Sequence, residues 1–135
     1  MQQLQQLSAP LGRLMLSAIF IMSGLGKITG YAATQGYMEA MGVSGSLLPL
    51  VIIVEIVAGF AVLLGWQTRM AALGLAGFTL LSGILFHGDF SDQTQMIMFM
   101  KNVSITGALL LLVNLGAGSY SLDQRRQNTL DAAKP

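Results

Sequence analysis

Glu55 stands in the middle of the apolar run 47–65, and it is the charged residue of that run. An ionised carboxylate at the centre of a membrane helix costs about 3 kcal/mol even on insertion scales. The group must therefore be paired, protonated or put to use. Four side chains from other segments have the right chemistry to meet it: Lys27, Lys101, His87 and Asn102. Glu55 follows Leu47 by two helical turns, so it sits roughly 12 Å below that end of its segment at 1.5 Å per residue. Lys101 is a turn or two into its own segment from the same face, and Lys27 and His87 close theirs there. Lysine stems are long enough to carry an ammonium a turn or two deeper. We expect Glu55 to be ionised and paired with Lys101 or Lys27, with His87, Asn102 and Glu39 rimming a small outward-facing polar pocket. Two plainer readings stand beside it. The ion pair fixes helix packing and nothing more, or the lysines snorkel outward as anchors and leave Glu55 protonated.

These residues need a frame. The chain has 135 residues, 53% of them hydrophobic and only 10% charged, against about 25% charged in ordinary soluble domains. A soluble core of this size has no room for that much apolar surface. Besides 47–65, the segments 11–28, 70–88 and 96–115 are each near the roughly 20 residues that cross a bilayer's hydrocarbon. The fold class is all-α: an integral membrane four-helix bundle forming one domain over residues 1–122, followed by a polar cytoplasmic tail, 123–135. The first apolar run ends in Lys27 well before any plausible cleavage site, so it reads as a retained span rather than a signal peptide.

Four spans put both termini on one side. That side carries Arg13, Arg69, Arg125, Arg126 and Lys134, whereas the loop 89–95 has two aspartates and neither Lys nor Arg. Excess basic charge marks the cytoplasmic face, so both termini are expected there, with Arg13 and Arg69 as topology anchors. The loop between the first two spans is long and holds Tyr31 and Tyr37. Its middle, 32–41, is expected to form a short interfacial helix. Ser46 is placed to cap the second span and Pro49 is tolerated in its first turn. The tail after Leu115 reads as exposed and partly disordered.

Residues three and four apart share a helix face. The interior-facing stripes expected on this basis are Arg13, Ser17, Phe20, Gly24 and Lys27 in the first span; Glu55, Gly59, Val62 and Trp66 in the second; Ala72, Ala76, Thr79, Gly83 and His87 in the third; Lys101, Ser104 and Ala108 in the fourth. The run Met96, Met98, Met100 offers thioethers that suit Cu(I), but the three sulfurs converge only if the run is extended. We assign no metal site. The net charge of +1 and the lack of a basic stripe exclude nucleic-acid binding. The absence of cysteine removes disulfides and thiolate chemistry, so any redox role needs a bound cofactor or partner.

Several of these residues form a wider pattern. Phe20-Ile21-Met22-Ser23-Gly24-Leu25-Gly26-Lys27, Glu55, the turn Leu64-Gly65-Trp66-Gln67-Thr68-Arg69-Met70-Ala71-Ala72 and Phe86-His87 together resemble the DoxX family of small bacterial membrane proteins, over about residues 8–122. The resemblance implies a four-helix protein of the cytoplasmic membrane with an association to redox chemistry. Related DoxD proteins are subunits of a thiosulfate:quinone oxidoreductase, and some DoxX relatives join membrane oxidoreductase assemblies. Lys27, Glu55, Arg69 and His87 match recurring family positions without an implied role.

Three functions compete. The first is an accessory or ligand-binding subunit for a quinone or small anion, with Lys27 and Lys101 as positive lining, Glu55 as proton acceptor, and Trp66, Phe86 and Phe99 as aromatic surface. The second is an assembly partner in a membrane complex, such as a membrane oxidoreductase, or a homo-oligomer through the Gly-rich third span. The third is a small proton-linked transporter, which the lack of paired broken helices disfavours.

Overall fold

In hydrocarbon each backbone N–H and C=O must find its partner within the chain, and a helix achieves this segment by segment. The computed structural model describes residues 1–134, and among them there are helices and connections but no strand. In chain order the helices are α1 (Gln2–Thr29), α2 (Tyr31–Ala40), α3 (Gly45–Leu64), α4 (Thr68–Phe86), α5 (Gln93–Leu115) and α6 (Leu122–Ala132). Four of them, α1, α3, α4 and α5, are long and apolar enough to span a membrane. The expected spans are all present. The first begins earlier than composition indicated, because α1 runs through Pro10 rather than starting after it.

Packing follows the predicted stripes in three of the four spans. Arg13, Ser17, Phe20 and Gly24 of α1 are buried, as are Glu55, Gly59 and Val62 of α3, and Ala72, Ala76, Thr79 and Gly83 of α4. Trp66 lies beyond the end of α3 and is exposed. The fourth stripe needs correction: Lys101, Ser104 and Ala108 face outward, and α5 presents Asn102, Thr106 and Leu109 to the bundle. One residue step turns a helix by about 100°. Aligning the face on the charged Lys101 rather than on its amide neighbour therefore selects the wrong side. Phe20, Val62, Ala72, Leu75, Ala76 and Leu109 form the apolar core.

Two terminal details also differ from expectation. Ser46 does not cap α3: the helix opens with a 3-10 turn, Gly45–Leu47, and the Ser46 hydroxyl pairs with that of Ser44 at 2.7 Å. The polar tail, for which composition predicts partial disorder, forms α6. Its Asp123 carboxylate accepts from the amides of Gln67 and Thr68 at 2.9 Å each and from the Thr68 hydroxyl at 2.7 Å. In return the Asp123 amide donates to Gly65 O at 2.8 Å. The tail thus supplies the N-terminal cap that α4 lacks in its own sequence.

Burial alone pulls the Asp123 pKa upward, but the Thr68 and Gln67 hydrogen bonds, aided by Arg126, outweigh it and hold the carboxyl below its ordinary value. A depressed folded-state pKa means that the unfolded chain binds the proton first, so this contribution is present above the unfolded value of about 3.9. It is lost as pH falls through the folded value. Asp123→Ala is expected to cost about 1–2 kcal/mol at neutral pH, the usual worth of such a cap. Melting curves of both proteins between pH 7 and 3 check this, and the gap between them should close towards the acid end.

Candidate functional site

α1 and α3 cross at Gly24. A Cβ at that position would come within 2.6 Å of Ile56 Cγ1 and 3.3 Å of Glu55 Cβ, so glycine is what lets these α3 side chains pack this close to α1. At the same level α3 departs from α-helical winding and makes one π turn, Val54–Ala58. Such turns add a residue to the helix, re-aim the side chains they carry, and recur at functional sites. The side chain re-aimed here is Glu55, which is only 4% exposed.

Lys27 meets it from α1. Its Nζ lies 2.9 Å from Glu55 Oε2 and donates to Oε1 at 3.0 Å. Ser23, one turn before Lys27, donates its hydroxyl to the same Oε1 at 3.1 Å and accepts from Lys27 at 2.5 Å. Oε2 is close to the ammonium, yet no donor among the described residues is aligned to hydrogen-bond it. We read the Oε2 contact as Coulombic, with Oε1 carrying the hydrogen bonds. Sequence reasoning named the carboxylate and the lysine but missed Ser23, whose signal is its spacing of four from Lys27 on one helix face.

The pair sits where two cavities meet. One, of about 330 Å³, is apolar and bounded by α2, α3 and α4, with Met38, Val51, Val54, Leu85 and Phe86 on its walls. Tyr37 of α2 stacks on Phe86 with ring centroids 5.5 Å apart and closes its rim. The other, of about 230 Å³, is more polar and includes Ser23, Thr79, Lys101 and Asn102. Lys27, Glu55, Ser82 and His87 border both.

The remaining candidate residues are placed as follows. Lys101 reaches the edge of the polar cavity, but its ammonium donates to Met98 Sδ at 3.4 Å rather than to Glu55. Asn102 is buried and donates to the Thr79 carbonyl at 3.3 Å, tying α5 to α4. His87 follows α4, and its Nδ1 lies 2.7 Å from Gln95 Oε1. Glu39 is exposed and lies over Gly45, away from Glu55. Met96, Met98 and Met100 are all on α5, so helical winding separates their sulfurs, and the described residues hold no His, Asp or Glu cluster suited to a metal.

Arg13 and Arg69 lie near the end that carries the termini. Arg69 is exposed. Arg13 is 2% exposed and donates to the carbonyls of Ser119 at 3.2 Å and Tyr120 at 2.8 Å, so it ties the segment before α6 to the bundle. The helical stripe placed Arg13 inward, but its partners, two carbonyls over a hundred residues away, were invisible in sequence.

A bundle of four spanning helices with an ion pair buried between two of them defines a small multi-pass membrane protein with an internal polar site. The chain belongs to the DoxX family, whose model matches residues 9–88, a stretch that includes Lys27, Glu55, Arg69 and His87. It is 50% identical over 124 residues to the inner membrane protein YqjF of Escherichia coli K12, covering 92% of this chain and 95% of that one. It is also 36% identical over 123 residues to the inner membrane protein YphA of the same organism, covering 85% and 87% respectively. No solved structure matches the chain.

Proposed function

We propose that the chain is a multi-pass inner-membrane protein that binds a small amphiphile and serves as an accessory subunit of quinone-linked redox metabolism. The inner-membrane assignment draws on its similarity to YqjF and YphA, both named as inner membrane proteins. Both termini lie in the cytoplasm on the basic-charge rule, which puts the Lys27–Glu55 pair in the outer half of the bundle. The observation that carries the reading is the position of that pair, at the border of an apolar cavity of about 330 Å³. This volume is at the lower end of ordinary small-molecule sites, which are mostly apolar with a few placed polar groups. Phe86 supplies aromatic surface there. Phe99 instead packs edge-on against Phe90, and Trp66 is at the opposite end of α3. Lys27 and His87 would donate to a ligand carbonyl, and Glu55 would accept from a ligand hydroxyl.

The test is thermal stabilisation of purified protein by decylubiquinone in its reduced, quinol form, whose hydroxyls can donate to Glu55. A ligand at a hundred times its Kd stabilises by about 2.7 kcal/mol, a shift of several degrees. The wild type should show that shift, and Glu55→Gln should insert normally and lose it. An equal ligand response in the two proteins would overturn the reading.

A second reading, an assembly partner without chemistry of its own, is favoured by the outward stripe Lys101, Ser104 and Ala108 on α5. Ser104, whose hydroxyl donates to Met100 O at 3.0 Å, and Ala108 are small and suit close approach of another helix, which would also cover the costly Lys101 ammonium. In that case Glu55→Gln alters folding yield and neither protein responds to the quinol.

A further inference from the structure

The two cavities have different chemistry, and Glu55 is where they join. We propose that the carboxylate is served from two directions: an apolar cleft opening sideways to the bilayer, through which an amphiphile's chain enters, and a water-filled polar cavity opening at the end of the bundle that carries the α1–α2 and α4–α5 connections. This deepens the binding reading given above, since it concerns the same site.

The sideways opening follows from exposure. Leu50 of α3 and Leu81 and Leu85 of α4 border the apolar cavity and are also 58%, 55% and 42% exposed on the outer surface of the bundle. Hydrocarbon would cover those faces, so the cleft is continuous with lipid.

Hydration of the other cavity follows from unmet hydrogen bonds. Glu55 Oε2 and Thr79 Oγ1 both border it, both are buried, and neither has a hydrogen-bond partner among the described residues. Oε2 has the Lys27 ammonium at 2.9 Å but no aligned donor, and the Thr79 hydroxyl has no partner, so both gain from a water at this depth. A cavity of about 230 Å³ holds several waters at the roughly 30 Å³ each occupies in the liquid. A water there finds the two to four polar partners it needs in Oε2, Thr79, Ser82 and Lys101. Lys101, exposed at the rim, keeps the mouth polar. The head of a bound amphiphile would meet the same water, and Oε2 selects for a head bearing a hydroxyl or amine donor.

Because the chain contains no cysteine, single cysteines report accessibility without further engineering. The probe is sodium 2-sulfonatoethyl methanethiosulfonate. It does not cross membranes and reacts with thiolate in water, forming a mixed disulfide and releasing methanesulfinate. Thr79→Cys tests the polar cavity, Leu85→Cys the apolar cleft, and Leu80→Cys, which borders neither cavity, the lipid surface. Each is assayed in right-side-out and inverted vesicles after its melting temperature is matched to the parent; Ser23→Cys replaces Thr79→Cys if the latter is unstable.

The expected result is at least tenfold faster reaction at the polar-cavity position than at Leu80→Cys, from one side of the membrane, with Leu85→Cys as slow as Leu80→Cys. Equal slowness at all three positions overturns the water route, and equally fast reaction at Leu85→Cys overturns the separation of the two approaches. No ligand is present in this assay. Its failure is therefore distinguishable from a failed thermal shift, which tests binding alone.

Discussion

Lys27→Met should destabilise the protein by about 3–5 kcal/mol, the usual result of stripping one partner from a buried ion pair. The loss is dominated by what remains. Glu55 is 4% exposed and anchored in a π turn that faces α1, so it cannot leave the bundle interior for bulk water, and cavity water reaching Oε2 does not replace a counter-charge. Its remaining partner on Oε1 would be the Ser23 hydroxyl. The reverse change is milder for a geometric reason. The Lys27 side chain is 24% exposed and lies in the last turn of its helix, so without the carboxylate its ammonium can snorkel towards the interface.

Glu55→Gln should therefore cost clearly less than Lys27→Met. The double variant Lys27→Met with Glu55→Gln should recover most of the loss, because two neutral side chains leave no uncompensated charge. Unfolding midpoints of the four proteins in one detergent give the cycle directly. A Lys27→Met protein as stable as the parent, or a double variant no better than Lys27→Met, would mean that the pair carries little energy in the folded bundle.

How much of this was legible in the sequence depended on whether a residue's type constrains its surroundings. A carboxylate inside an apolar run must be paired or protonated, so Glu55 and the candidates at its depth could be named without coordinates. Small residues at spacings of three and four likewise revealed the inner faces of α1, α3 and α4. On α5 the same reasoning failed, because Lys101 and Asn102 are adjacent and polar, and periodicity cannot say which of two neighbours turns inward. The burial of Asn102 is settled by α4, whose Gly83 leaves room for it: a Cβ there would lie 3.1 Å from Asn102 Cβ. The π turn had no local signal either. It arises where α1 and α3 approach through Gly24, a tertiary circumstance. The docking of α6 was hidden for a related reason, since Asp123 and Arg13 are separated in sequence from the backbone groups they satisfy.

That docking leads to the second large effect, at Gly65. The residue ends α3 with φ +66° and ψ 42°, the left-handed conformation that glycine adopts freely and that costs other residues about 1–2 kcal/mol. Conformation is half of the constraint. A Cβ at this position would run into Arg13 Nη1 and Ser121 Cβ, and the Gly65 carbonyl accepts the Asp123 amide. Gly65→Ala should thus pay twice, through its backbone and through displacement of the arginine that holds the Ser119 and Tyr120 carbonyls. Gly65→Asn separates the two, since asparagine tolerates the left-handed region but keeps the colliding Cβ. With α6 released, Arg125 and Arg126 should become readily cleaved by trypsin added on the side of the termini, in both variants and more completely in Gly65→Ala. The Lys27–Glu55 site, midway along α3 and almost three turns from Gly65, should keep its quinol response. A Gly65→Asn protein as trypsin-resistant as the parent would show that strain at Gly65, rather than crowding by Arg13, is what demands glycine.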